Sequence, residues 1–147
     1  MNIDLDKLNY TFINKPLLIG GRAMEFYGLR KTGNDIDFVV IEEDLANLIK
    51  LYPDKIKDLS GDLGVCPFEF EIWKSISYFT YDELRRNSIE QENYLVISLE
   101  KLLFLKSLTL NLEKGLEDAV LIANKIIEEQ SKKSEEINNH NKELLQS

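Results

Sequence analysis

The chain has one cysteine and one histidine among its 147 residues, and both shortages exclude kinds of site. Cys66 has no second cysteine to pair with, so a disulfide within the chain is excluded. His140 lies in a polar segment near the C-terminus, which leaves no source for a Ser-His-Asp triad or a histidine-based zinc site. The chemistry of this chain therefore has to come from its carboxylates, lysines, arginines and glycines.

Long apolar runs and an excess of basic residues are also missing. No apolar run is long enough for a membrane-spanning helix and no signal peptide is recognisable, so we expect a cytoplasmic protein with no membrane partner. The 18 lysines and arginines stand against 26 aspartates and glutamates, which gives a net charge of -8. This charge argues against a broad basic surface for nucleic acid, although a nucleic-acid end can still dock locally.

The length and composition favour one folded domain. A chain of 147 residues with 44% apolar and 30% charged residues can bury one core and is short for two. We expect this domain over residues 1–129. The polar tail over residues 130–147 is expected to be either a frayed continuation of the last helix or disordered.

Apolar periodicity, caps and turn signals predict a mixture of helices and strands. The predicted helices are Asp4 to Ile13, Arg22 to Leu29, Leu45 to Leu51 with Asp44 as its cap, a buried helix capped by Ser98 that reaches Leu112, and Leu116 to Glu129. The predicted strands are Leu17 to Ile19, Ile36 to Ile41, Phe68 to Trp73 and Tyr94 to Ile97, with turns over Asp58 to Gly64. The expected fold is α/β (α+β), a small mixed β-sheet with packed helices.

The most informative stretch runs from Leu17 to Val40, where a strand, a glycine pair, a short helix and a second strand follow one another. Gly20 and Gly21 lack a Cβ, which allows a sharp turn and a close approach to an anion such as a triphosphate. Asp35 and Asp37 are two residues apart at a strand start, so both carboxylates project from one face. Paired carboxylates suit Mg²⁺ or Mn²⁺ held together with substrate phosphates. The stretch therefore predicts a metal-triphosphate site.

A third acidic group is available in the segment Phe68 to Trp73, where acidic and apolar residues alternate. Glu69 and Glu71 fall on one face of this predicted strand. If that face meets Asp35 and Asp37, one of the two glutamates is a candidate metal ligand or general base for an attacking hydroxyl. The same alternation is typical of the solvent-facing side of a half-buried strand, so the sequence leaves both interpretations open.

Basic residues that suit a triphosphate lie in two places. Lys106 falls on the apolar stripe of the predicted buried helix, where its ammonium either meets a phosphate or reaches water past its neighbours. Arg22, Arg30 and Lys31 flank the glycines and aspartates, where basic residues are usually solvated. A glycine pair and an Asp-x-Asp are, taken singly, more often a plain turn and solvated surface. Their order within one strand-helix-strand unit favours the metal-nucleotide interpretation.

These residues resemble the signature of the DNA polymerase β-like nucleotidyltransferase superfamily. The similar segments are Gly20-Gly21-Arg22-Ala23, then Gly28, Arg30 and Thr32, then Asp35-Ile36-Asp37. The chain is most similar to a bacterial group that contains abortive-infection-type toxins and lincosamide-type antibiotic nucleotidyltransferases. The resemblance continues from Val96 to Lys106 and through a patch from Lys114 to Asp118, so that it covers roughly Leu17 to Ile127.

The resemblance implies a nucleotidyltransferase fold and the transfer of a nucleoside monophosphate from an NTP to a hydroxyl acceptor. The acceptor would be a small molecule, a tRNA or a protein. The resemblance implies that the catalytic and metal-binding residues, with Mg²⁺ or Mn²⁺, are Asp35, Asp37 and Glu71. It implies that the nucleotide is bound by Gly20, Gly21, Arg22, Arg30 and Lys106.

Two departures from the family pattern support an alternative. The family usually has aspartate where this chain has Glu71, and often an acidic residue where it has Gly115. The alternative is a catalytically inactive protein of the same fold, acting as a binding or antitoxin-like module on a protein partner in a toxin-antitoxin pair. A homodimer is a further expectation, because so short a chain would need a second copy to complete an acceptor pocket.

Overall fold

The computed structural model describes residues 2–146, which form two compact units. The first unit comprises the residues up to Leu102, and the second comprises the residues from Leu103 onward. The sequence had predicted one folded domain over residues 1–129 and a polar tail over residues 130–147. Within residues 2–146, no helix combines the length and the apolar character that crossing a bilayer requires.

The first unit is built on strands. The strands are β1 (Leu17–Ile19), β2 (Ile36–Val39), β3 (Ile56–Leu59), β4 (Asp62–Val65), β5 (Phe70–Trp73), β6 (Ser75–Ile76), β7 (Phe79–Thr80), β8 (Ile89–Glu90) and β9 (Leu95–Val96). Of these, β1, β2, β5 and β9 lie in segments predicted as strands and the others do not. In the described part of the chain, seven of them form one sheet in the order β3-β4-β5-β2-β1-β9-β8. The pairs β1–β9 and β2–β5 are parallel and the others antiparallel, which confirms the predicted mixed sheet.

Helices accompany this sheet and form the second unit. They are a 3-10 helix (Leu5–Leu8), α1 (Gly20–Phe26), α2 (Glu42–Leu51), α3 (Tyr81–Leu84), α4 (Leu99–Ser107) and α5 (Glu113–Gln146). The boundary between the units falls within α4. The predicted cap of α4 is confirmed, because the backbone N–H of Lys101 donates to the Ser98 hydroxyl at 3.1 Å.

The central strands bury their apolar side chains almost completely. Leu17, Leu18, Phe38 and Ile72 are each 0% exposed, and each contributes roughly 1.5–3 kcal/mol of burial free energy. Phe38 of β2 stacks on Phe70 of β5, with ring centroids 6.3 Å apart. This packing fixes β2 beside β5 and sets the register on which the site below depends.

The predicted N-terminal helix from Asp4 to Ile13 was wrong in extent. Only the 3-10 turn Leu5–Leu8 forms, because Asn9 takes a left-handed backbone conformation with φ of 49° and ends it. The following segment is held by a side chain from α2 instead.

That side chain is Asp44, which the sequence had assigned as a helix cap. The assignment was wrong, because α2 begins two residues earlier and Asp44 lies inside it with no exposed surface. Its carboxylate accepts hydrogen bonds from the Tyr10 hydroxyl at 2.5 Å and from the backbone N–H groups of Ile13 at 2.9 Å and Asn14 at 3.2 Å. Asp44 therefore fastens the N-terminal segment to the body of the unit.

Three other boundaries differ from the predictions. The region from Asp58 to Gly64, predicted as turns, forms most of the β3–β4 hairpin, in which the Asp58 carboxylate accepts from the N–H of Gly61 at 2.7 Å. Helix α5 runs from Glu113 to Gln146, beyond the predicted end of the packed helix at Glu129. Residues 130–146 are thus helical, which agrees with the predicted continuation of the last helix and not with the alternative of disorder. Helix α4 ends at Ser107, and the apolar residues after it, such as Leu112, are exposed.

Candidate active site

Asp37 and Glu71 lie side by side on the central strands. β2 and β5 are parallel, and Asp37 is the direct register partner of Glu71. Side chains at one register position of a sheet project from the same face. Both residues are half-buried, whereas their neighbours along the strands, such as Phe38 and Ile72, are fully buried. The structure thus brings together two of the three predicted acidic residues.

Gly20 packs directly against Asp37. β1 is antiparallel to β2 with Ile19 opposite Asp37, so Gly20 emerges at the strand end where Asp37 stands. Gly20 has a φ of +66°, and a Cβ built on it would lie 2.5 Å from Oδ2 of Asp37. A side chain at this position would therefore displace the carboxylate, and the missing Cβ is what allows the close approach.

Gly21 is covered by the loop that leads into β2. A Cβ on Gly21 would lie 2.2 Å from the Thr32 hydroxyl oxygen and 3.8 Å from Nη1 of Arg30. Protein side chains thus occupy the space next to both glycines. The glycine pair permits a close approach, as predicted, but the groups that approach here belong to the chain itself. A contact of Gly20 and Gly21 with phosphate stays a prediction.

Asp35 stands one residue before β2 and is exposed to solvent. Among residues 2–146 no group of three or more histidine, cysteine, aspartate or glutamate side chains is arranged to hold a metal ion. A closed cage of Asp35, Asp37 and Glu71 is therefore not formed. Mg²⁺ commonly binds through one or two carboxylates, with the remaining ligands from water and substrate phosphates. The chemistry of Asp35 and Asp37 fits that kind of site.

Glu71 has a basic neighbour that the sequence did not single out. Nζ of Lys57, on β3, lies 3.4 Å from Oε1 of Glu71, and both side chains are partly exposed. An ion pair this accessible to water is weak. Cys66 lies in the same region, since the charges of Glu71 and Lys57 act on its thiol, and burial raises the pKa of that thiol above its usual value. Lys57 was missed because no strand was predicted over β3, and the residues directly after Lys57 were predicted as turns.

Glu69, the other candidate base, is engaged elsewhere. The predicted strand was to start at Phe68, but Phe68 has a φ of +54° and β5 begins only at Phe70, so Glu69 lies in a turn. Nζ of Lys7 donates to Oε1 of Glu69 at 2.8 Å, and this hydrogen bond lowers the pKa of the glutamate. Glu71 is therefore the glutamate that stands beside Asp37.

The predicted nucleotide-binding arginines lie near the glycine pair. Arg22 is in α1 with its side chain 18% exposed, and its Nη1 is 3.8 Å from Oε2 of Glu25. Nε of Arg22 is buried, and within the described residues no hydrogen-bond partner reaches it. Arg30 donates from Nη1 to the Lys31 carbonyl at 3.1 Å. The buried Nε–H of Arg22 is a donor that suits an anion.

In the second unit, two residues that the family resemblance singled out pair with each other. Nζ of Lys106 lies 2.9 Å from Oδ2 of Asp118, which is 1% exposed. Gly115 is required by packing, because a Cβ there would lie 2.2 Å from the carbonyl oxygen of Thr109. This contact explains why no acidic residue stands at position 115. The predicted contact of Lys106 with a triphosphate stays a prediction.

Two cavities lie elsewhere in the first unit. One of about 490 Å³ is lined mainly by the N-terminal segment, including Asp4, Tyr10 and Phe12. A second of about 300 Å³ lies beside Val40 and Tyr81. Neither cavity is lined by Asp37 or Glu71.

Comparison with known proteins adds no relative to this description. No protein-family model, no curated protein and no solved structure matches the chain. The residues and their geometry are therefore the basis for the function proposed below.

Proposed function

We propose that this protein is a nucleotidyltransferase that moves a nucleoside monophosphate from an NTP to a hydroxyl acceptor with Mg²⁺. The observation that carries the proposal is the contact between Gly20 and Asp37, with Glu71 beside Asp37 in register. A glycine turn and two adjacent carboxylates at one sheet end combine groups that suit a phosphate chain and a metal ion.

Each residue has a role in this proposal. Asp35 and Asp37 would hold Mg²⁺, which neutralises charge on the phosphates when bound. Arg22, through its buried Nε–H, and Arg30 would contact the phosphates. Glu71 would take the proton of the acceptor hydroxyl while the hydroxyl oxygen attacks the α-phosphorus and the bond to the pyrophosphate oxygen breaks.

A second function is favoured by two features of the acidic residues. Lys57 lies against Glu71, and among the described residues no three carboxylates converge on a metal position. Both features suit a protein that keeps the fold without the chemistry. In that case the molecule acts as a binding or antitoxin-like module for a protein partner.

Transfer of label from α-phosphate-labelled NTPs tests the proposal. Each of the four NTPs would be incubated with Mg²⁺ and with one of three acceptor classes: hydroxylated small molecules, tRNA, and protein. We expect label on one class of acceptor with the wild type and none with Asp37→Asn or Glu71→Gln, which remove the charge and keep the size. Asp54→Asn, at an exposed residue to which the proposal assigns no role, is the matched control and should retain transfer.

The two functions predict different outcomes. Transfer by the wild type that survives in Asp37→Asn would refute the assigned site. No transfer to any acceptor class, together with a protein that co-purifies stoichiometrically, would replace the enzymatic proposal with the binding module.

A further inference from the structure

Helix α5 presents two different apolar stripes. One stripe is buried and contains Gly115, Ala119 and Ile122 together with Asp118. The other is solvent-exposed except at the half-buried Ala123, and it follows a strict alternation of four-residue and three-residue steps. We name this second set the heptad stripe; its members are Leu116, Val120, Ala123, Ile127, Gln130, Ser134, Ile137, Asn141 and Leu144.

The apolar members of the heptad stripe are exposed to a degree unusual for their type. The exposed fractions are 52% for Leu116, 51% for Val120, 61% for Ile127, 58% for Ile137 and 59% for Leu144. The stripe extends over about 42 Å at about 1.5 Å per residue. Six of its nine members are apolar and three, Gln130, Ser134 and Asn141, are polar. Apolar residues at alternating four- and three-residue steps are the spacing of a coiled-coil seam, and polar residues at such positions set its register at a cost in stability.

The outer part of α5 also lacks support from its own chain. All described residues from 128 to 146 are exposed, although they form one continuous helix. Most helical stability in proteins comes from tertiary packing of an apolar face. A helix of this length with an exposed apolar seam is therefore stabilised best by a second helix laid against that seam.

The charges of α5 avoid the heptad stripe. Between Lys125 and Glu143, every charged residue except Lys133 falls at a position that faces away from the stripe and its flanks. The away-facing residues are Lys125, Glu128, Glu129, Lys132, Glu135, Glu136, Lys142 and Glu143. The flanks are mostly alanine, isoleucine, serine and asparagine, so an identical helix meets the seam with little like-charge repulsion.

The choice of side chains on the stripe favours two parallel helices. In heptad notation the a positions contain Val120, Ile127, Ser134 and Asn141, and the d positions contain Leu116, Ala123, Gln130, Ile137 and Leu144. Two of the four a residues are β-branched, and two of the five d residues are leucine. β-Branched residues at a with leucine at d favour parallel dimers, and a single asparagine at a fixes the register by pairing with its counterpart. We infer that α5 joins two copies of this chain as a parallel coiled coil along the heptad stripe.

Sedimentation equilibrium of the full chain tests the inference. We expect the wild type to sediment as a dimer of the 17.1 kDa chain and Ile127→Lys, Ile137→Lys to sediment as a monomer. The matched control is Asn139→Lys, Gln146→Lys, which adds the same charge on the outer face and should remain dimeric. Circular dichroism of both variants verifies that the helix persists.

Cysteine cross-linking tests the orientation in the same protein. In a Cys66→Ser background, Asn141→Cys should form an interchain disulfide on mild oxidation, because residue 141 faces its own counterpart only in a parallel pair. Asn139→Cys, on the outer face, should not. A wild type that is monomeric at all concentrations, a control double variant that dissociates equally, or cross-linking at 139 rather than 141 would overturn the inference.

Discussion

Four glycines in the first unit differ in two constraints on a side chain: a left-handed φ, and a neighbouring group in the space of a Cβ. Substituting each glycine by alanine tests the geometry of the site. Gly20 has a φ of +66° and lies against Asp37, whereas Gly28 has a φ of +71° and faces open space. Gly21 lies against a neighbouring side chain without a left-handed φ, and Gly33 has neither constraint. The four variants therefore form a complete factorial set.

The expected losses of unfolding free energy follow from these constraints. Alanine in a left-handed conformation costs roughly 1–2 kcal/mol, which is the loss expected for Gly28→Ala. Forcing a methyl group into an occupied space costs roughly 1–3 kcal/mol, which is the loss expected for Gly21→Ala. Gly20→Ala combines both and should lose roughly 2–5 kcal/mol. Gly33→Ala should be unchanged or more stable by up to about 1 kcal/mol.

Urea unfolding followed by the fluorescence of Trp73 measures these losses. Trp73 is the one tryptophan of the chain, and it is 6% exposed, so its emission should change on unfolding. If the unfolding free energy falls by about 2 kcal/mol per molar urea, Gly20→Ala should lower the urea concentration at the unfolding midpoint by roughly 1–2.5 M. The same variant should lose Mg²⁺-dependent NTP binding, while Gly28→Ala should keep it.

Equal stability of Gly20→Ala and Gly28→Ala would refute the placement of the Asp37 carboxylate against Gly20. A Gly33→Ala variant as destabilised as Gly20→Ala would show that alanine is tolerated poorly throughout this region, and the comparison would then carry no information on Asp37.

Three further perturbations test other contacts. Asp44→Ala should lower the unfolding free energy by about 2–4 kcal/mol, because three donors of the N-terminal segment lose their acceptor. Glu43→Ala is the control. A loss below about 1 kcal/mol for Asp44→Ala would contradict the conclusion that Asp44 holds the N-terminal segment. The hydrogen bond from Lys7 lowers the pKa of Glu69, so the stability from this pair is present at neutral pH and lost as pH falls through that pKa. The unfolding midpoints of wild type and Glu69→Gln should converge in acid, and a widening gap would count against the pairing. Burial raises the pKa of the Cys66 thiol, so iodoacetamide at mildly alkaline pH should modify the native protein more slowly than the unfolded chain; equal rates would argue against that burial.

The features that local periodicity could predict are those fixed within a few residues of chain. β1 is a short apolar run before a glycine pair, and its bounds, Leu17–Ile19, were predicted as observed. The alternation around Asp37 and Glu71 also predicted that each carboxylate would project from a strand between apolar neighbours. For Asp37 and Glu71 the local alternation was sufficient to predict that each lies on a strand.

The features that sequence could not predict depend on pairing between distant segments. The adjacency of Asp37 and Glu71 follows from the parallel register of β2 and β5, which no local pattern encodes. The partner of Glu71, Lys57, belongs to a hairpin whose polar and glycine residues resemble a loop. Asp44 was assigned as a cap because aspartate before an apolar helix is typical of caps, whereas its acceptors serve a segment about thirty residues away.

Calorimetric titration of Mg²⁺ with each of the four NTPs tests the central claim most directly. The wild type should bind at least one NTP only when Mg²⁺ is present, and the Asp35→Ala, Asp37→Ala double variant should not bind it. The control double variant Asp54→Ala, Glu100→Ala removes the same charge from exposed positions and should bind as the wild type does. Full Mg²⁺-dependent binding by the Asp35→Ala, Asp37→Ala variant, or no binding by the wild type, would contradict a metal-nucleotide site at Asp35 and Asp37.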